Sequence, residues 1–528
     1  MQTLPASGPA REALREKGRF WTPRWLAEVM AAWVLGDHPA VLFDPAVGPG
    51  TFFSAARGLG FTGIFTGFEL DRAALEKGIQ RGLPRSELQE VRIGDFICSL
   101  VTGAFPAIIS NPPCIRHHRL NRARKDELRL LGTQFLGFPL DGRAGLHLYF
   151  LLKCLAHLAP GGRLAFVLPA DVCEGVSSSA LWRRLTEKFR LDAVLVFTPE
   201  AAPFPGVDTN AMVFLLSKRA PASEVLWLQV SAPDPGAILA ALQGQQSALA
   251  DGGAVTVHRR DLQEALATGL SRPPRVPDAG GVPLSHFARV LRGIATGANE
   301  FFFLSSAQMR EHGLAEKFFV RAIGRTRDCA GDTLSRADLE RLDQMKRPTW
   351  LLNLGKEPFE SLPAALRAYL ETGEKLGLPD RALIQTRKPW YRMEQRTPPA
   401  LLFAYLGRRD CRFILNRAGA LPLTGFLCVY PWEQEPQQVR LLWRALNHPD
   451  TLANLVFVGK SYGDGALKVE PRQLESLEIP GRVVQSLGLV SPPRLEQMAL
   501  LERLDATAAS PTRTNSVARI RKGLTRPE

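Results

Sequence analysis

The stretch Val41-Leu-Phe-Asp-Pro-Ala-Val-Gly-Pro-Gly-Thr-Phe-Phe53 decides the fold of the first half of the chain. An apolar run ends at Asp44, glycines follow at positions 48 and 50, and a second apolar run then begins. This order predicts a buried strand, a tight loop and a helix, because glycine lets the backbone turn sharply and approach a ligand closely. Glu69, twenty-five residues after Asp44, ends a second apolar run, where a carboxylate suits the hydroxyls of a ribose. An ordinary strand–helix turn with surface acids is the alternative for the glycine pair alone.

Strand and helix patterns alternate outward from this stretch as far as residue 220. The predicted strands are 41–43, 64–68, 107–110, 163–168, 193–197 and 212–217. The predicted helices include 146–159 and 181–189. Such alternation predicts a mainly parallel sheet with helices on both faces, and hence an α/β domain over residues 1–220.

The pattern changes after residue 220. Residues 221–282 contain a strand pattern at 224–230, a helix pattern at 237–246 and a final run rich in proline and glycine, so we expect a connecting segment there. Residues 283–485 lose the strand–helix alternation, which favours a second domain of α+β structure. Residues 486–528 are predicted to form a helix and a disordered basic tail.

The composition indicates a folded protein with an anionic partner. Of the 528 residues, 45% are apolar, and 66 lysines and arginines against 52 acids give a net charge of +14. This excess favours nucleic acid or an anionic membrane surface as partner. No apolar run approaches the roughly 18 residues that a membrane span needs, so insertion is not expected. Seven cysteines without a C-x-x-C pair favour a reducing cytoplasm, without a disulfide framework or a structural zinc.

The sharpest chemical signal is Ile108-Ile-Ser-Asn-Pro-Pro-Cys114. Two prolines directly after a buried strand fix the backbone and remove two N–H donors, so Asn111 is expected at the carboxyl end of the sheet. The side-chain oxygen of Asn111 and the carbonyl oxygen of Pro112 can then accept both hydrogens of one exocyclic amino group. This localises a nitrogen lone pair that an aromatic ring otherwise delocalises. A plain Asn-Pro turn is the alternative.

Taken together, these motifs resemble those of the amino-group DNA methyltransferases that make N6-methyladenine. The similar class has its cofactor motif before its catalytic motif and a C-terminal target-recognition domain. The resemblance covers nearly the whole chain. It implies a Rossmann-like class I S-adenosylmethionine-dependent methyltransferase domain, an α+β target-recognition domain over 283–485, S-adenosylmethionine as cofactor and double-stranded DNA as partner. It also implies a cytoplasmic bacterial or archaeal protein of restriction–modification or phage defence.

The resemblance assigns residues to the cofactor. It implies that the segment around Thr22 closes over the methionine part, that Asp95 bonds the adenine amino group and that Phe96 packs on the adenine ring. Asp44, at the end of the first strand, is expected to offer its carboxylate to an ammonium group. The family usually has cysteine and serine where this chain has Val47 and Pro49. The assigned set is Thr22, Asp44, Ala46, Gly48, Gly50, Glu69, Asp95 and Phe96.

The catalytic motif that the resemblance implies is Asn111, Pro112, Pro113 and Cys114. The family usually has an aromatic residue, most often Tyr, at the last of these positions, where it stacks on the flipped adenine. Cys114 supplies little of this stacking, and Phe204 is implied to pack on the target base. Cys114 is not expected to be a nucleophile, and the neighbouring pair of histidines at 117 and 118 is interpreted as solvated rather than metal-binding.

Two basic segments are candidates for DNA contact. Arg116, Arg119 and Arg122 belong to the first, which follows the catalytic motif and continues through further basic residues to position 129. This run favours phosphate contact over a merely solvated helix face. The second joins charge to aromatic rings at Arg387, Lys388 and Trp390, although the same residues also suit a piece of the domain core. Lys460 lies in the segment that resembles the end of the recognition domain.

Two other functions are compatible with the motifs. The Asn-Pro-Pro motif also serves enzymes that methylate RNA amines or a glutamine of release factors, although the long second domain favours DNA. The cysteine at position 114 also suits a catalytically weak DNA-binding subunit of a defence complex. A separate restriction or defence protein is a possible partner.

Overall fold

The computed structural model of the protein describes residues 20–115, 117, 120–142, 144–173, 178–204, 210–245, 253–274, 280–404, 411–461 and 467–490. The chain divides into two compact units, with the boundary between residues 276 and 277. Each unit has its own sheets and its own apolar core.

A nine-stranded sheet forms the centre of the first unit, in the order β3-β2-β1-β4-β5-β7-β6-β8-β9. Its strands are β1 (Val41–Asp44), β2 (Ile64–Glu69), β3 (Glu90–Ile93), β4 (Phe105–Ser110), β5 (Leu158–Pro169), β6 (Arg190–Phe197), β7 (Ala211–Ser217), β8 (Glu224–Val230) and β9 (Val255–Asp261). β7 runs antiparallel to both of its neighbours, and β9 runs antiparallel to β8. The remaining pairs are parallel.

The order of the first seven strands, with β7 reversed, is that of the Rossmann-like class I S-adenosylmethionine-dependent methyltransferases. The predicted fold class is therefore confirmed. In such a sheet the carboxyl ends of the parallel strands meet at one edge, where open α/β folds bind ligands. Loops that are far apart in the sequence are brought together there.

Both faces of this sheet are buried. Leu42 and Ile109 face one apolar cluster, whereas Phe43 and Ile108 face the other, as the two-residue period of a strand requires. The helices of the unit are α1 (Arg24–Val34), α2 (Thr51–Gly58), α3 (Arg72–Gln80), α4 (Arg122–Leu136), α5 (Leu146–Ala156), α6 (Ser178–Thr186), α7 (Pro235–Leu242) and α8 (Leu262–Thr268). The prediction of a mainly parallel sheet covered on both faces is confirmed.

The boundary predicted for the first domain needs correction. Residues 221–282 were expected to form a connecting segment, but β8 pairs along its length with β6, and β9 pairs with β8, so both strands extend the main sheet. Apolar residues of β8, such as Trp227 and Leu228, are buried in its two faces. β3 is absent from the sequence prediction because this edge strand is short, mostly exposed and half charged.

The second unit is built mainly from antiparallel strands and short helices, as its α+β prediction requires. A five-stranded sheet has the order β11-β19-β16-β17-β14, and a four-stranded sheet has the order β12-β15-β13-β18. The strands are β10 (Val282–Pro283), β11 (Ala288–Arg292), β12 (Phe303–Leu304), β13 (Phe319–Ile323), β14 (Thr333–Leu334), β15 (Trp350–Leu352), β16 (Leu401–Ala404), β17 (Arg412–Asn416), β18 (Leu421–Pro422), β19 (Phe426–Pro431), β20 (Lys460–Ser461), β21 (Leu467–Lys468) and β22 (Glu478–Ile479).

Helices of this unit pack against its sheets. They are α9 (Asn299–Phe302), α10 (Ser306–Glu311), α11 (Arg336–Gln344), α12 (Ala364–Lys375), α13 (Pro436–Leu446), α14 (Pro449–Ala453), α15 (Leu455–Val458), α16 (Pro471–Glu475) and α17 (Gly481–Leu487). Among the described residues, no helix has the length and apolar character to cross a bilayer. The basic tail predicted beyond residue 490 lies outside the described residues.

Candidate active site

A cavity of about 480 Å³ opens at the carboxyl ends of the parallel strands of the first unit. Its walls come from the loops that follow β1, β2, β3 and β4, from residues 20–22 and from the start of α5. Every one of these loops carries a motif that the sequence singled out. Of the residues assigned to the cofactor, those that line the cavity are Thr22, Ala46, Gly48, Glu69, Asp95 and Phe96.

The glycine loop is held in a conformation that only glycine adopts easily. Gly48 and Gly50 have φ values of 58° and 72°, which lie in the left-handed region. Gly50 caps α2, and a Cβ atom there would lie 2.3 Å from the side chain of Leu83. Gly50 therefore shapes the turn and packs against Leu83, just beyond the end of α3, and its assignment as a cofactor contact stays a prediction.

Glu69 joins two of these loops. Its carboxylate accepts hydrogen bonds from the backbone N–H groups of Gly48 and Asp71, each at 2.8 Å. The side chain is 7% exposed and lines the cavity. A carboxylate has about four acceptor positions, so these two bonds fix its plane and leave acceptor capacity for a ligand hydroxyl.

Asp44 has a supporting role in this loop. Its side chain is 1% exposed and does not line the cavity, and its Oδ1 accepts from the Ala46 N–H and from the Ser110 hydroxyl, both at 2.9 Å. Burial raises the pKa of Asp44 to about 7, with a further rise from the charge of Glu69 and against the lowering effect of the two hydrogen bonds. Asp44 thus supports the glycine loop from within the fold, and its expected contact with an ammonium group stays a prediction.

The loop after β3 presents one carboxylate and one ring. Asp95 lines the cavity and accepts from the Ile97 N–H through Oδ1 at 2.9 Å. Phe96 also borders the cavity, but it is only 2% exposed and its ring packs against Phe68 and Phe150. The roles predicted for Asp95 and Phe96 toward an adenine ring stay predictions.

Asn111 is anchored by the segment that precedes α1. Its amide nitrogen donates to the carbonyl oxygen of Phe20 at 2.6 Å and to the hydroxyl of Thr22 at 3.2 Å. Because a carbonyl oxygen can only accept, these bonds identify which end of the amide is the nitrogen. The side-chain oxygen is thereby the end left for an acceptor role, and Asn111 itself lines the cavity.

The rest of the catalytic motif continues from this anchor. Pro112 is buried, whereas Pro113 borders the cavity and its carbonyl accepts from the Ile115 N–H at 3.0 Å. The carbonyl of Ile115 in turn accepts from Leu146, the first residue of α5. Cys114 lies half-buried between two residues that line the cavity, and its sulfur is not part of a disulfide bond. The loop is thus tied to a helix at its far end.

An aromatic segment closes one side of the cavity. Phe20 and Trp21 line it together with Thr22, and the Trp21 ring lies under the guanidinium of Arg81, 4.4 Å from its centroid. The ring of Phe204 lies 6.2 Å from that of Phe20, centroid to centroid. Phe204 is therefore beside the cavity wall, and its predicted packing on a target base stays a prediction.

The basic residues that follow the catalytic motif fall into two groups. Arg116 and Arg119 lie outside the described residues, and Arg122 is exposed at the first position of α4. Arg124, which belongs to the same predicted phosphate-binding run, points inward and pairs with Asp95 at 2.6 Å. The expectation of phosphate contact therefore remains open for Arg122 and does not fit Arg124 in this arrangement.

In the second unit, two of the predicted DNA contacts are part of the fold. The guanidinium of Arg387 donates to the carbonyl of Ala295 at 2.7 Å and lies over the ring of Phe302, and burial lowers its pKa. Trp390 donates to Glu374 at 3.1 Å and packs against the aromatic core around Phe302. These contacts fit the core piece that the sequence offered as an alternative, because Arg387 and Trp390 bond and pack within the second unit. Lys388 is exposed, and the side chain of Lys460 lies outside the described residues.

The supporting roles of three residues around the cavity were not predicted. Ser110 holds Asp44, Arg124 holds Asp95, and Lys153 of α5 donates to the carbonyls of residues 96, 97 and 99 at 2.7, 2.9 and 2.6 Å. The only available signal was a lysine within the otherwise apolar pattern of α5, where a charged residue needs partners.

The cavity fits S-adenosylmethionine in size and in chemistry. Its volume lies within the range of roughly 300–1,000 Å³ that is typical of small-molecule sites. Glu69 and Asp95 provide acceptors for ribose hydroxyls and an amino group, and Phe52, Leu146 and Phe150 add apolar walls. Within the described residues, no group of three or more His, Cys, Asp or Glu side chains is arranged to hold a metal ion.

Comparison with known proteins found similar sequences that together cover both units. Residues 276–510 match the family model of the C-terminal domain of type II methyltransferase M.Eco57I. Type II methyltransferase M.AccI of Acinetobacter calcoaceticus is 26% identical over 470 residues, which are 88% of this chain and 85% of that protein. Type II methyltransferase M.XamI of Xanthomonas campestris pv. amaranthicola is 27% identical over 479 residues, again 88% of this chain and 85% of that protein.

Proposed function

We propose that this chain, which is a DNA methyltransferase, transfers a methyl group from S-adenosylmethionine to N6 of adenine in double-stranded DNA. The proposal adds three things to the family assignment: the cofactor, the base with its acceptor atom, and the flipping of that base out of the duplex. It also places the enzyme in restriction–modification, in line with its similarity to the type II methyltransferases M.AccI and M.XamI.

The observation that carries the proposal is the anchoring of Asn111. Its amide nitrogen is held by Phe20 and Thr22, so the side-chain oxygen is presented as an acceptor at the wall of the cofactor cavity. Two prolines restrict the backbone that follows. An exocyclic amino group bound here would lie beside the place where the cofactor binds.

The chemistry follows from this acceptor. When bound, S-adenosylmethionine supplies an electrophilic methyl group. Asn111 and the carbonyl oxygen of Pro112 accept the two hydrogens of the amino group, which keeps its lone pair on nitrogen and directs it toward the cavity. Orientation and the polar clamp supply the rate enhancement, so no covalent nucleophile is required. Because the amino group of a paired adenine is inaccessible within a duplex, the nucleotide has to be flipped out.

Cys114 sets this site apart from the usual pattern. Stacking of a base on an aromatic side chain contributes roughly 1–3 kcal/mol, and a cysteine supplies little of it. Phe204, which lies next to Phe20 at the edge of the cavity, is positioned to supply one aromatic face instead. We therefore propose an enzyme that holds its target base mainly through the amino-group clamp and one ring.

The second unit is proposed to select the DNA sequence. Its match to the C-terminal domain of a type II methyltransferase supports this division of labour, and the net charge of +14 of the whole chain suits DNA as the partner. Residues 283–485 carry the proposed target-recognition role, with Lys388 as the exposed basic residue of the segment predicted from the sequence.

The test is to identify the modified base and its sequence context together. DNA from cells that express the full chain is hydrolysed for nucleoside mass spectrometry and is also read by a sequencing method sensitive to base modification. N6-methyladenine confined to one sequence motif is expected, and cells that express Asn111→Ala provide the matched control. N4-methylcytosine in place of N6-methyladenine would refute the base assignment.

The same experiment decides the alternative suggested by Cys114. A DNA-binding subunit without useful catalysis would leave the DNA unmodified, while the purified protein would still bind a specific sequence. That outcome would reject the proposed reaction.

A further inference from the structure

We infer that Arg124 is the positioning residue that fixes the carboxylate of Asp95 for recognition of the cofactor's adenine amino group. The inference rests on the proposed function, since it assumes that the cavity holds S-adenosylmethionine. It deepens that proposal by naming a residue outside the cavity wall that sets which cofactor the cavity accepts.

The first observation is the geometry of the pair. Arg124 Nη2 donates to Asp95 Oδ2 at 2.6 Å, while Asp95 Oδ1 accepts from the Ile97 N–H at 2.9 Å. Oδ2 also accepts a weaker bond from the Cys98 thiol at 3.7 Å, so both carboxylate oxygens have protein donors, and these come from the loop itself and from helix α4. Together the bonds fix the orientation of the carboxylate, which lines the cavity and keeps acceptor capacity for a ligand.

The second observation is the fixed backbone below this side chain. Lys153 places its three N–H donors on the carbonyls of residues 96, 97 and 99. The loop after β3 is thereby tied to α5, independently of Arg124. Removing Arg124 would free the Asp95 side chain without releasing the loop that carries it.

Burial and capping explain why Arg124 can act as a rigid support. Its side chain is 17% exposed, against 36% for Asp95, and its other guanidinium nitrogen pairs with Glu127 at 3.0 Å. The backbone N–H of Arg124 donates to the side chain of Asn121, which caps α4. Charge-assisted bonds from a guanidinium that is held on both sides are short and directional.

The consequence is selectivity for the amino group. A carboxylate that is already oriented binds an N–H donor without first losing its rotational freedom. Without Arg124 the partly exposed Asp95 would turn toward water, and the amino group would have to order it. We expect the preference for a purine that carries the amino group to fall by about two- to tenfold.

The experiment compares two ligands by calorimetry with the full-length protein in the absence of DNA. The probes are S-adenosylhomocysteine and its counterpart with purine in place of adenine, which carry the same charge and differ in the amino group. The measured quantity is the ratio of their dissociation constants. Because both probes have the same charge, any general electrostatic effect of removing an arginine cancels in this ratio.

Arg124→Gln keeps a good helix former at this position and should lower the ratio by about two- to tenfold. Arg124→Lys should give an intermediate ratio, because it keeps the charge but not the planar guanidinium, and it also serves if the glutamine variant folds poorly. Arg184→Gln is the matched control, since Arg184 makes the same ion pair with a glutamate three residues later but donates its other bond to the Leu136 carbonyl instead of Asp95. Its ratio should equal that of the wild type.

Several results would overturn the inference. An unchanged ratio in both Arg124 variants, or a wild type that does not distinguish the two probes, would show that Arg124 does not position Asp95 for this contact. The proposed function is judged separately by the modified base in DNA. A wild type that discriminates through Arg124 but makes no N6-methyladenine would refute the proposed reaction and leave the inference standing.

Discussion

The cavity of the first unit and the loop 292–297 of the second unit use polar side chains in opposite ways. Around the cavity, Asn111, Glu69 and Asp95 are each oriented by hydrogen bonds to the protein, line the cavity and keep acceptor capacity. Around the loop, arginines from residues 381–396 direct their donors to the loop's own carbonyls. Arg381 bonds the carbonyl of residue 297, Arg387 that of 295 and Arg396 that of 292.

This contrast shows that residue type does not reveal whether a polar group serves a ligand or the fold. An arginine-rich, aromatic segment was expected to face DNA, yet its guanidinium groups satisfy backbone acceptors inside the second unit. Carbonyl groups at the end of a strand or in a loop take such donors when regular structure does not pair them. Around the cavity, the carboxylates of Glu69 and Asp95 accept from backbone N–H groups of the loops and keep acceptor positions for binding.

The largest effect that would sharpen the comparison is expected at Asn111. Asn111→Ala removes the acceptor oxygen, and methyl transfer should fall by about 100- to 1,000-fold, as when a polar group that stabilises a transition state is lost. Initial rates with labelled cofactor and plasmid DNA measure this. The melting temperature should stay close to that of the wild type, because the residue lies in a loop at a cavity wall. An active alanine variant would mean that catalysis does not use the Asn111 oxygen, and the contrast between the two regions would fail.

The next effect concerns the pH dependence of stability at Asp44. Its pKa is raised from 3.8 to about 7 in the folded protein. The stabilisation that the protonated form provides is therefore complete below about pH 4 and is lost as the pH rises through 7. Between pH 5 and pH 8 the free energy of unfolding of the wild type should fall by about 3 kcal/mol relative to that of Asp44→Asn. This variant keeps the acceptor oxygen but has no charge to bury.

Urea unfolding of both proteins at several pH values checks this prediction. Asp126→Asn, on the exposed face of α4, is the matched control. Parallel pH profiles for the wild type and Asp44→Asn would indicate that the buried carboxylate does not change its charge in this range.

A smaller effect separates the two neighbouring basic residues of the second unit. Arg387→Met removes the hydrogen bond to Ala295 and the packing on Phe302, so the free energy of unfolding should fall by about 1–3 kcal/mol. Lys388→Met alters an exposed side chain and should change stability by no more than about 0.5 kcal/mol.

The same two variants distinguish fold from DNA contact. If Lys388 touches a phosphate, the salt dependence of DNA binding should decrease by about one counterion in Lys388→Met, with no such change in Arg387→Met. The reverse pattern, with stable Arg387→Met and a reduced salt slope, would move Arg387 from the core to the DNA surface and contradict the comparison.

The smallest effect is expected at Cys114. Cys114→Tyr should restore a stacking surface and raise kcat/KM severalfold, which corresponds to about 1 kcal/mol at the low end of base stacking. Cys114→Ser should keep near-normal turnover, since neither thiol chemistry nor stacking is expected from this residue. Loss of turnover in the serine variant, with DNA and cofactor binding retained, would show that the thiol takes part in the reaction.

Much of the first unit was predictable because its signals are local. Apolar runs of four to eight residues separated by turn residues predict the strands, and motifs that follow such runs are expected at one edge of a parallel sheet. On this basis Gly48, Glu69 and Asn111 were placed together, the family resemblance added Asp95, and all four line one cavity. The edge strand β3 and the outer strand β9 escaped prediction, because exposed strands carry too few apolar residues to produce a pattern.

The contacts that the sequence did not foresee have a common physical reason. Asp44 and Gly50 belong to the right loop, but whether each atom faces a ligand or the protein depends on what packs behind the loop. Ser110 and Leu83 decide this, and they come from other elements. For Arg387 the deciding contacts are a carbonyl and a ring about ninety residues earlier in the chain.

The sequence by itself therefore determined the positions of most strands of the first unit, the glycine turns and the chemical identity of the acceptor at Asn111. Each of these features depends on neighbours within a few residues. Only the tertiary structure decided which end of the Asn111 amide faces the cavity, and which arginines hold the protein together. Those choices depend on partners such as Phe20, which is 91 residues from Asn111, and Arg124, which is 29 residues from Asp95. Hydrogen bonds between such distant residues form only after packing has brought the elements together, and no local pattern encodes them.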